Sequence, residues 1–319
     1  LELDLKVGAL DTDIKSLRKA ARQNMGPEFK KRIDQIINTG LIELKEDFRI
    51  FWNKYPIAKL IPGKDYLKPS FHLIIDDIIE IKEQNKLSKY LEKWIEEKIN
   101  TTLKNLVELK KNQDKKASIR ALAYQLYENS GVVKREKVTS FLDKLSQDER
   151  KILRRMGVKF GRYHVFLYKL FKPEAVSLRL ILWKNFHQKF FELQPPKFGL
   201  NFIDSKKFIN PDFMLICGFE KFNNFFVRID ILERLFLKII SNNSDNKENI
   251  KLSSEMLNLL GCSKDNFLKL IEKMDYKTYK KENEIYFKYS PQKKKESKNF
   301  KKNTKNDNPF SILKEINFN

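Results

Sequence analysis

SQDERKILRRMGVKFGRYHVFLYKLFKPEAVSLRLILW, residues Ser146 to Trp183, is the stretch around which the rest of the chain is arranged. Ser146-Gln-Asp-Glu149 is a capping box: the serine oxygen takes one orphan amide of the first turn and Glu149 reaches back to another. The helix it opens is predicted to stop near Gly157, which takes a left-handed C′ conformation without steric cost. Arg150/Arg154 and Lys151/Arg155 are like-charge pairs at i,i+4, each a small cost to an isolated helix. Gly161 closes the short unit Val-Lys-Phe, and Arg162-Tyr163-His164 follows. After the apolar run Val165 to Phe171, Pro173 at N1 opens a second helix. That helix is apolar nearly all round, with a thin polar stripe of Ser177, Lys184 and Gln188, so it is expected to be largely buried. Basic residues are thus mounted on a rigid, buried base.

Upstream, Leu1 to Val7 alternate as a strand does, and Thr12 or Asp13 caps a helix carrying Ile14, Leu17, Ala21 and Met25. Gly26-Pro27 breaks or kinks it, and Phe29, Ile33 and Ile37 continue its apolar face to Gly40. Leu41–Leu44, Phe48–Trp52 and Tyr55–Ile61 read as short strands, with turns at Asn53-Lys54 and Pro62-Gly63, giving a small β-meander. From Gln84 to Lys111 the helical period returns in Leu87, Leu91, Trp94, Ile95, Ile99, Leu103, Leu106 and Val107, the longest helix expected. Two shorter helices follow, one through Ile119, Leu122, Ala123, Leu126 and Tyr127, the other through Val138, Phe141, Leu142 and Leu145.

Downstream, the prolines and glycine of residues 192–218 read as an ordered linker, and Ile229 to Ile240 as a strong apolar helix. Ser253 or Ser254 starts a helix ending at Gly261, Ser263 caps another from Lys264 to Met274, and Tyr276 to Tyr289 alternates like a hairpin. Helix, helix, short turn, helix and two-stranded ribbon is the order of a winged helix. The expected class is therefore mainly α and multi-domain: a small α/β unit with the β-meander at 1–75, a helical domain at 76–190, a linker at 191–218, a winged-helix-like unit at 219–290, and a disordered basic tail at 291–319. The tail ends in a short apolar motif (Phe310, Ile312, Leu313, Ile316, Phe318) of the kind that docks.

A chain of 319 residues with 41% hydrophobic residues and 25 phenylalanines has ample material for more than one core. The net charge of +22 points to a polyanionic partner, nucleic acid before an acidic membrane surface. Part of the lysine excess is compositional, because the chain is also rich in Asn, Ile and Phe, as AT-rich coding sequence dictates. Two cysteines, Cys217 and Cys262, make no disulfide framework, and the expected compartment is the reducing cytoplasm. No apolar run is long enough to span a bilayer, so no membrane partner is expected. The chain opens on Leu1 within a strand pattern, which reads as part of a longer protein.

The sequence contains neither G-x-x-x-x-G-K-[ST] nor G-x-G-x-x-G. His72, His164 and His187 are read as packed or tuned residues rather than a ribonuclease pair, and Cys217 and Cys262 lack the C-x-x-C spacing of a zinc site. No catalytic residue, metal site or cofactor is expected. The candidate nucleic-acid-binding set is Arg150, Arg154, Arg155, Lys159, Arg162, Tyr163, Lys169 and Lys172: cations for phosphates, an exposed tyrosine for a base. The competing reading makes Tyr163, Phe166 and Tyr168 core and leaves the cations solvating a face. On the winged-helix candidate, Lys264, Lys269 and Lys273 fall on the third helix and Lys277, Lys280 and Lys281 on the ribbon, where protein docking is as natural a use as nucleic-acid binding.

YPIAKLIPGKDYLKP (Tyr55–Pro69), IRALAYQLYENSGVV and RRMGVKFGRYHVFLYKLFKPEAVSLRLILW together resemble the C-terminal half of the bacterial relatives of the mitochondrial degradosome RNA helicase, a DExH-type superfamily-2 enzyme. The resemblance extends through VRIDILERL, SSEMLNLLGCSKDNFLKLIEKMDY and the PFSILKEI of the tail, in order, over residues 12–319, and is most specific at 117–190. It implies an ATP-driven 3′-to-5′ motor linked to RNA turnover, with its ATP and magnesium sites in two RecA-like domains upstream of Leu1. No catalytic residue carries over to this chain. What it implies here is an accessory region that binds the single strand leaving the motor, RNA ahead of DNA, with the motor domains in cis and an exoribonuclease as a possible partner. The alternative is an interaction scaffold whose winged helix and tail recruit a nuclease or ribosome.

Overall fold

The computed structural model of the protein describes residues 33–290, apart from 77–78, 112–114, 205–209, 223, 242–248 and 282–283, together with the single positions 16 and 19. The strand expected at 1–7, the first part of the helix after Thr12 and the tail at 291–319 lie outside the described residues.

Helix α1 (Ile33–Thr39) ends before Gly40, where the apolar face is expected to stop; Gly40 takes the left-handed conformation with φ +61°. Strands β1 (Ile42–Leu44), β2 (Arg49–Trp52), β3 (Tyr55–Asp65) and β4 (Lys68–Leu73) then form an antiparallel meander in chain order. Asn53, with φ +53°, makes the first tight turn as expected. Pro62-Gly63 does not make the second. The strand β3 runs through both residues, and the reversal falls at Tyr66-Leu67 instead. The pairing with β4 slips between Ile61 and Asp65, and a Cβ on Gly63 would collide with the Lys68 carbonyl. Gly63 is there for close passage of the neighbouring strand.

The long helix comes in two parts, α2 (Ile81–Thr102) and α3 (Lys104–Lys110), broken at Leu103. Leu87, Leu91, Ile95 and Ile99 form the buried stripe of α2 at four-residue spacing. Next come α4 (Ala117–Glu128), β5 (Val132–Lys134), α5 (Arg135–Leu142), α6 (Gln147–Arg155), β6 (Val158–Phe160) and β7 (His164–Leu167). The three strands pair in the order β5-β7-β6. Three helices, one early strand and a terminal hairpin make this a winged-helix arrangement inside what the periodicity marked as an all-helical domain. A 3-10 turn (Tyr168–Phe171) leads to α7 (Pro173–His187), which buries Ala175, Val176, Leu178, Leu180, Ile181 and Leu182.

The stretch read as a linker holds β8 (Phe202–Asp204) and α8 (Pro211–Ile216). With β9 (Phe219–Phe222) and β10 (Phe225–Arg228) it builds a sheet in the order β8-β10-β9. The second winged-helix unit is α9 (Ile229–Ser241), β11 (Ile250–Lys251), α10 (Ser254–Leu260), α11 (Lys264–Lys273), β12 (Tyr276–Lys281) and β13 (Glu284–Tyr289), its sheet ordered β11-β13-β12. The order of elements and the strand order are those of the first unit.

The mainly α class is thereby corrected. About 51% helix and 25% strand, in eleven α-helices and four small antiparallel sheets among the described residues, is a mixed α/β protein. The reason is strand length. Strands β5 to β11 are two to four residues long, too short for a two-residue alternation to register beside helices of ten or more. One continuous core joins the meander, α2 to α6 and α7, so the first winged-helix unit is fixed to the N-terminal part of the molecule.

Candidate nucleic-acid interface

Helix α6 is the third helix of the first winged-helix unit, the position that reads a groove or strand in proteins of this arrangement. Its start is as the sequence dictates: Ser146 Oγ accepts from the Glu149 N–H and the Ser146 N–H donates to Glu149 Oε2 at 2.9 Å. That backbone bond, more than the nearby Lys116 and Ser118, holds the Glu149 carboxyl below the usual carboxylate range. At the other end Gly157 has φ +93°, and the Asn105 side chain occupies the space its Cβ would need, donating to the Met156 carbonyl at 2.6 Å. The closeness that Gly157 permits is used by the protein itself.

The eight candidate residues separate into three groups. On α6, Arg154 and Arg155 are exposed, and the Arg154 guanidinium lies 5.5 Å from the Phe160 ring centroid. Arg150 is on the same helix but is half-buried, donating to the Leu142 and Leu145 carbonyls at 2.8 and 3.4 Å, so it closes the end of α5. Strand alternation sends Lys159 to the opposite side of the hairpin from Phe160. There its ammonium stands 5.3 Å from the Tyr168 ring, on the same turn as exposed Lys169 and next to exposed Lys172. Arg162 and Tyr163 form the third group, at the junction with the second winged-helix unit.

That junction is built around a carboxylate. Glu233 of α9 accepts from three successive backbone amides, those of Arg162, Tyr163 and His164, at 2.6, 2.9 and 2.8 Å. Its carboxylate lies where a Cβ on Gly161 would be, with Oε1 2.6 Å from that point. Gly161 is therefore required by a neighbouring side chain of the protein, not by a ligand. Tyr163 packs edge-on against Phe236 at 5.7 Å in the core of the second unit, and burial raises its phenol far above the usual value. The structure thus gives Tyr163 the packing role rather than the base-stacking one. Arg162 remains exposed but is directed to the second unit, 5.8 Å from the Phe236 ring and 3.2 Å from the Tyr289 hydroxyl.

His164, 2% exposed, completes the junction. Its Nε2 is 2.8 Å from Glu220 Oε2 on β9, and Nδ1 is 3.5 Å from Glu233 Oε1. Burial alone would lower its pKa, but the hydrogen bonds and charges of Glu220 and Glu233 outweigh burial and raise it above 6.5. Glu220 is half-buried, which alone would raise its pKa, but His164 and Lys134, whose ammonium is 2.6 Å away, outweigh that and bring its carboxyl below 4.5. Sequence reading named His164 only as packed or tuned, and it missed Glu220, Glu233 and Lys134 because all three act across elements far apart in the chain.

The second unit carries its own exposed cations: Lys264, Lys269 and Lys273 on α11 and Lys277, Lys280 and Lys281 on β12. Ser263 caps α11 by accepting from the Asn266 N–H, the counterpart of Ser146 in the first unit. Cys217 and Cys262 lie in different hydrophobic clusters. Among the described residues no group of three or more His, Cys, Asp and Glu is placed to hold a metal ion, and no helix is long and apolar enough to cross a membrane. Family models, curated proteins and solved structures were compared with the chain, and none matches it.

Proposed function

We propose that this chain binds single-stranded nucleic acid, RNA ahead of DNA, as the cytoplasmic C-terminal accessory region of an ATP-dependent DExH-type helicase. It guides the strand and hydrolyses no ATP itself; ATP and magnesium belong to motor domains in cis, and no residue of this chain is assigned to them. The observation that carries the reading is the pair of winged-helix units, the first presenting Arg154 and Arg155 on its third helix, in a chain of net charge +22. The resemblance of 117–190 to helicases of RNA turnover supplies the motor; that segment is the first winged-helix unit with α7 behind it. The rigid mount matters for affinity, because α6 is held by a capping box, by Asn105 and by a continuous core, so little order has to be gained on binding.

A second reading, a scaffold that recruits a nuclease or ribosome, is favoured by one observation. Leu237 and Ile240 of α9 are 66% and 50% exposed, an apolar strip beside Arg234 and the Lys238–Glu255 ion pair.

The test is the binding of the full chain to fluorescent oligouridine and mixed-sequence single strands, compared with the Arg154→Ala/Arg155→Ala variant. Both side chains are exposed, so the variant keeps its fold. Affinity is expected to fall by a similar factor on every sequence, because phosphate contacts carry no base information. The slope of log affinity against log salt is expected to shrink by about 0.7 for each phosphate that the variant no longer neutralises. Equal affinity of variant and parent would remove α6 from the binding surface.

A further inference from the structure

A cleft of about 690 Å³ opens between α2, α3 and the tip of the β3–β4 hairpin, a size at which small-molecule sites are found (about 300–1,000 Å³). Its floor is apolar: Ile95 and Ile99 of α2 and Leu67 of the hairpin are buried there, with Pro69 and Val107 half-buried beside them. The walls are fixed. Tyr66 at the hairpin tip donates to the Tyr127 carbonyl at 3.0 Å, and Asp65 accepts from the Tyr127 hydroxyl at 2.6 Å and pairs with Lys110. Asn105 ties α3 to the end of α6. A ligand therefore meets a formed site, and little order has to be gained on binding.

The polar groups of the rim are sorted by sign. Glu92, Glu96 and Asn100 follow one another at four-residue steps along α2, one position on from the buried stripe of Leu91, Ile95 and Ile99. Two carboxylates four apart on a helix repel each other, and neither has an ion-pair partner among the described residues. The cations stand on the other two walls, Lys68 on the hairpin and Lys111 just after α3. These two are likewise without a carboxylate among the described residues, whereas Lys110 beside them is held by Asp65. An apolar slot with acceptors on one wall and cations on the others suits a flat ring that carries N–H donors and an anion, which is a nucleotide. Among the bases of RNA, guanine suits it best. Its N1–H and N2 amino group are adjacent donors that one carboxylate accepts together, as charge-assisted bonds. Uracil would turn carbonyl oxygens towards the glutamates, and cytosine and adenine offer one amino group beside an acceptor. A lysine-rich peptide suits the glutamates but meets Lys68, Lys110 and Lys111 on the same rim.

We propose that this cleft is a guanine-nucleotide site, in which the base lies on the apolar floor with its N1–H and amino edge at Glu92 and Glu96 and its phosphate at Lys68 and Lys111. Where the nucleotide is a residue of the strand, this rests on the nucleic-acid reading above and adds base choice to the sequence-blind grip of α6. A free guanine nucleotide needs no strand.

The experiment measures binding of the full chain to oligouridine, to the same strand with one central guanosine, to guanosine 5′-monophosphate and to guanosine. The guanosine-bearing strand is expected to bind about 5- to 150-fold more tightly than oligouridine, the gain of a bidentate pair. Glu92→Ala/Glu96→Ala, at exposed helical positions, is expected to abolish that gain while leaving oligouridine binding no weaker. Inosine in place of guanosine lacks the amino group and is expected to forfeit part of it. Lys68→Ala/Lys111→Ala is expected to weaken the monophosphate but not the nucleoside. A strand gain or monophosphate binding that the glutamate variant abolishes supports the site and shows which source fills it. Absence of both overturns it, as does a guanine preference that survives the glutamate variant; oligolysine held through the glutamates would then make the cleft a peptide site. If oligouridine binds through Arg154 and Arg155 while guanine adds nothing, the cleft falls and the function stands. If the monophosphate binds and no strand does, the function falls and the cleft stands.

Discussion

Glu233→Ala is expected to destabilise the protein by about 3 kcal/mol or more, because it leaves three successive amides without an acceptor. Arg162 is exposed, whereas the Tyr163 ring packs on Phe236 and His164 is buried with its ring against Glu220 of β9. The loss falls on the tie between the two winged-helix units, so the second unit should unfold before the first. The pH dependence has a defined sign. The raised pKa of His164 contributes stability that is fully present below its unfolded value near 6.5 and lost as pH rises through the folded value. Glu220, with its depressed pKa, contributes stability present above 4.5 and lost as pH falls through its folded value. The junction is therefore firmest between about pH 4.5 and 6.5. In the variant one of the two carboxylates is gone, so the decline above that window should be shallower than in the parent. Urea unfolding at several pH values checks both statements. A Glu233→Ala variant within 0.5 kcal/mol of the parent, the size of an ordinary surface substitution (about 0.5 kcal/mol), would refute the role assigned to the carboxylate.

Arg179→Ala is expected to cost about 3–5 kcal/mol, comparable to breaking a buried ionic contact. Arg179 lies in the middle of α7 with 0% exposure, among leucines. Its guanidinium donates to the Ser130 carbonyl and to the Ile216 carbonyl, both at 2.7 Å, tying the end of α4 to the end of α8. Burial lowers its pKa to about 10, opposed by Cys217 and Tyr66, so it is still charged at neutral pH. Alanine leaves both carbonyls without a donor and a cavity where the stem lay. Methionine refills the volume but not the bonds, and should recover part of the loss. Urea midpoints of the three proteins decide it; an alanine variant as stable as the methionine one would mean that packing contributes nothing there.

What the sequence disclosed follows a physical division. Local signals were legible: the capping box at Ser146, the serine at Ser263, Gly157 and Gly261 as left-handed ends, Pro173 at N1 and the turn at Asn53 all depend on a few neighbouring residues. Non-local ones were not. Strands of three residues such as Val132–Lys134 exist only because β7 pairs with them, which is why the first winged-helix unit read as bare helices. One signal for it was present: residues 117–167 repeat the order of 229–289, down to the serine that opens the third helix. Gly161 was legible only as the end of the unit Val-Lys-Phe; what comes close to it is Glu233, far along the chain. Arg179 inside Ser-Leu-Arg-Leu-Ile-Leu-Trp was the visible sign of a buried charge that needed carbonyl partners.

The salt dependence of single-strand binding by the unaltered chain tests the nucleic-acid account most directly. If the exposed cations of α6 and of the second unit together engage four or more phosphates, log affinity for oligouridine should fall against log salt with a slope of about −3 or steeper. A slope near zero, or no binding at low salt, would contradict the account and leave the exposed strip of Leu237 and Ile240, and with it the scaffold, as the better reading of the chain.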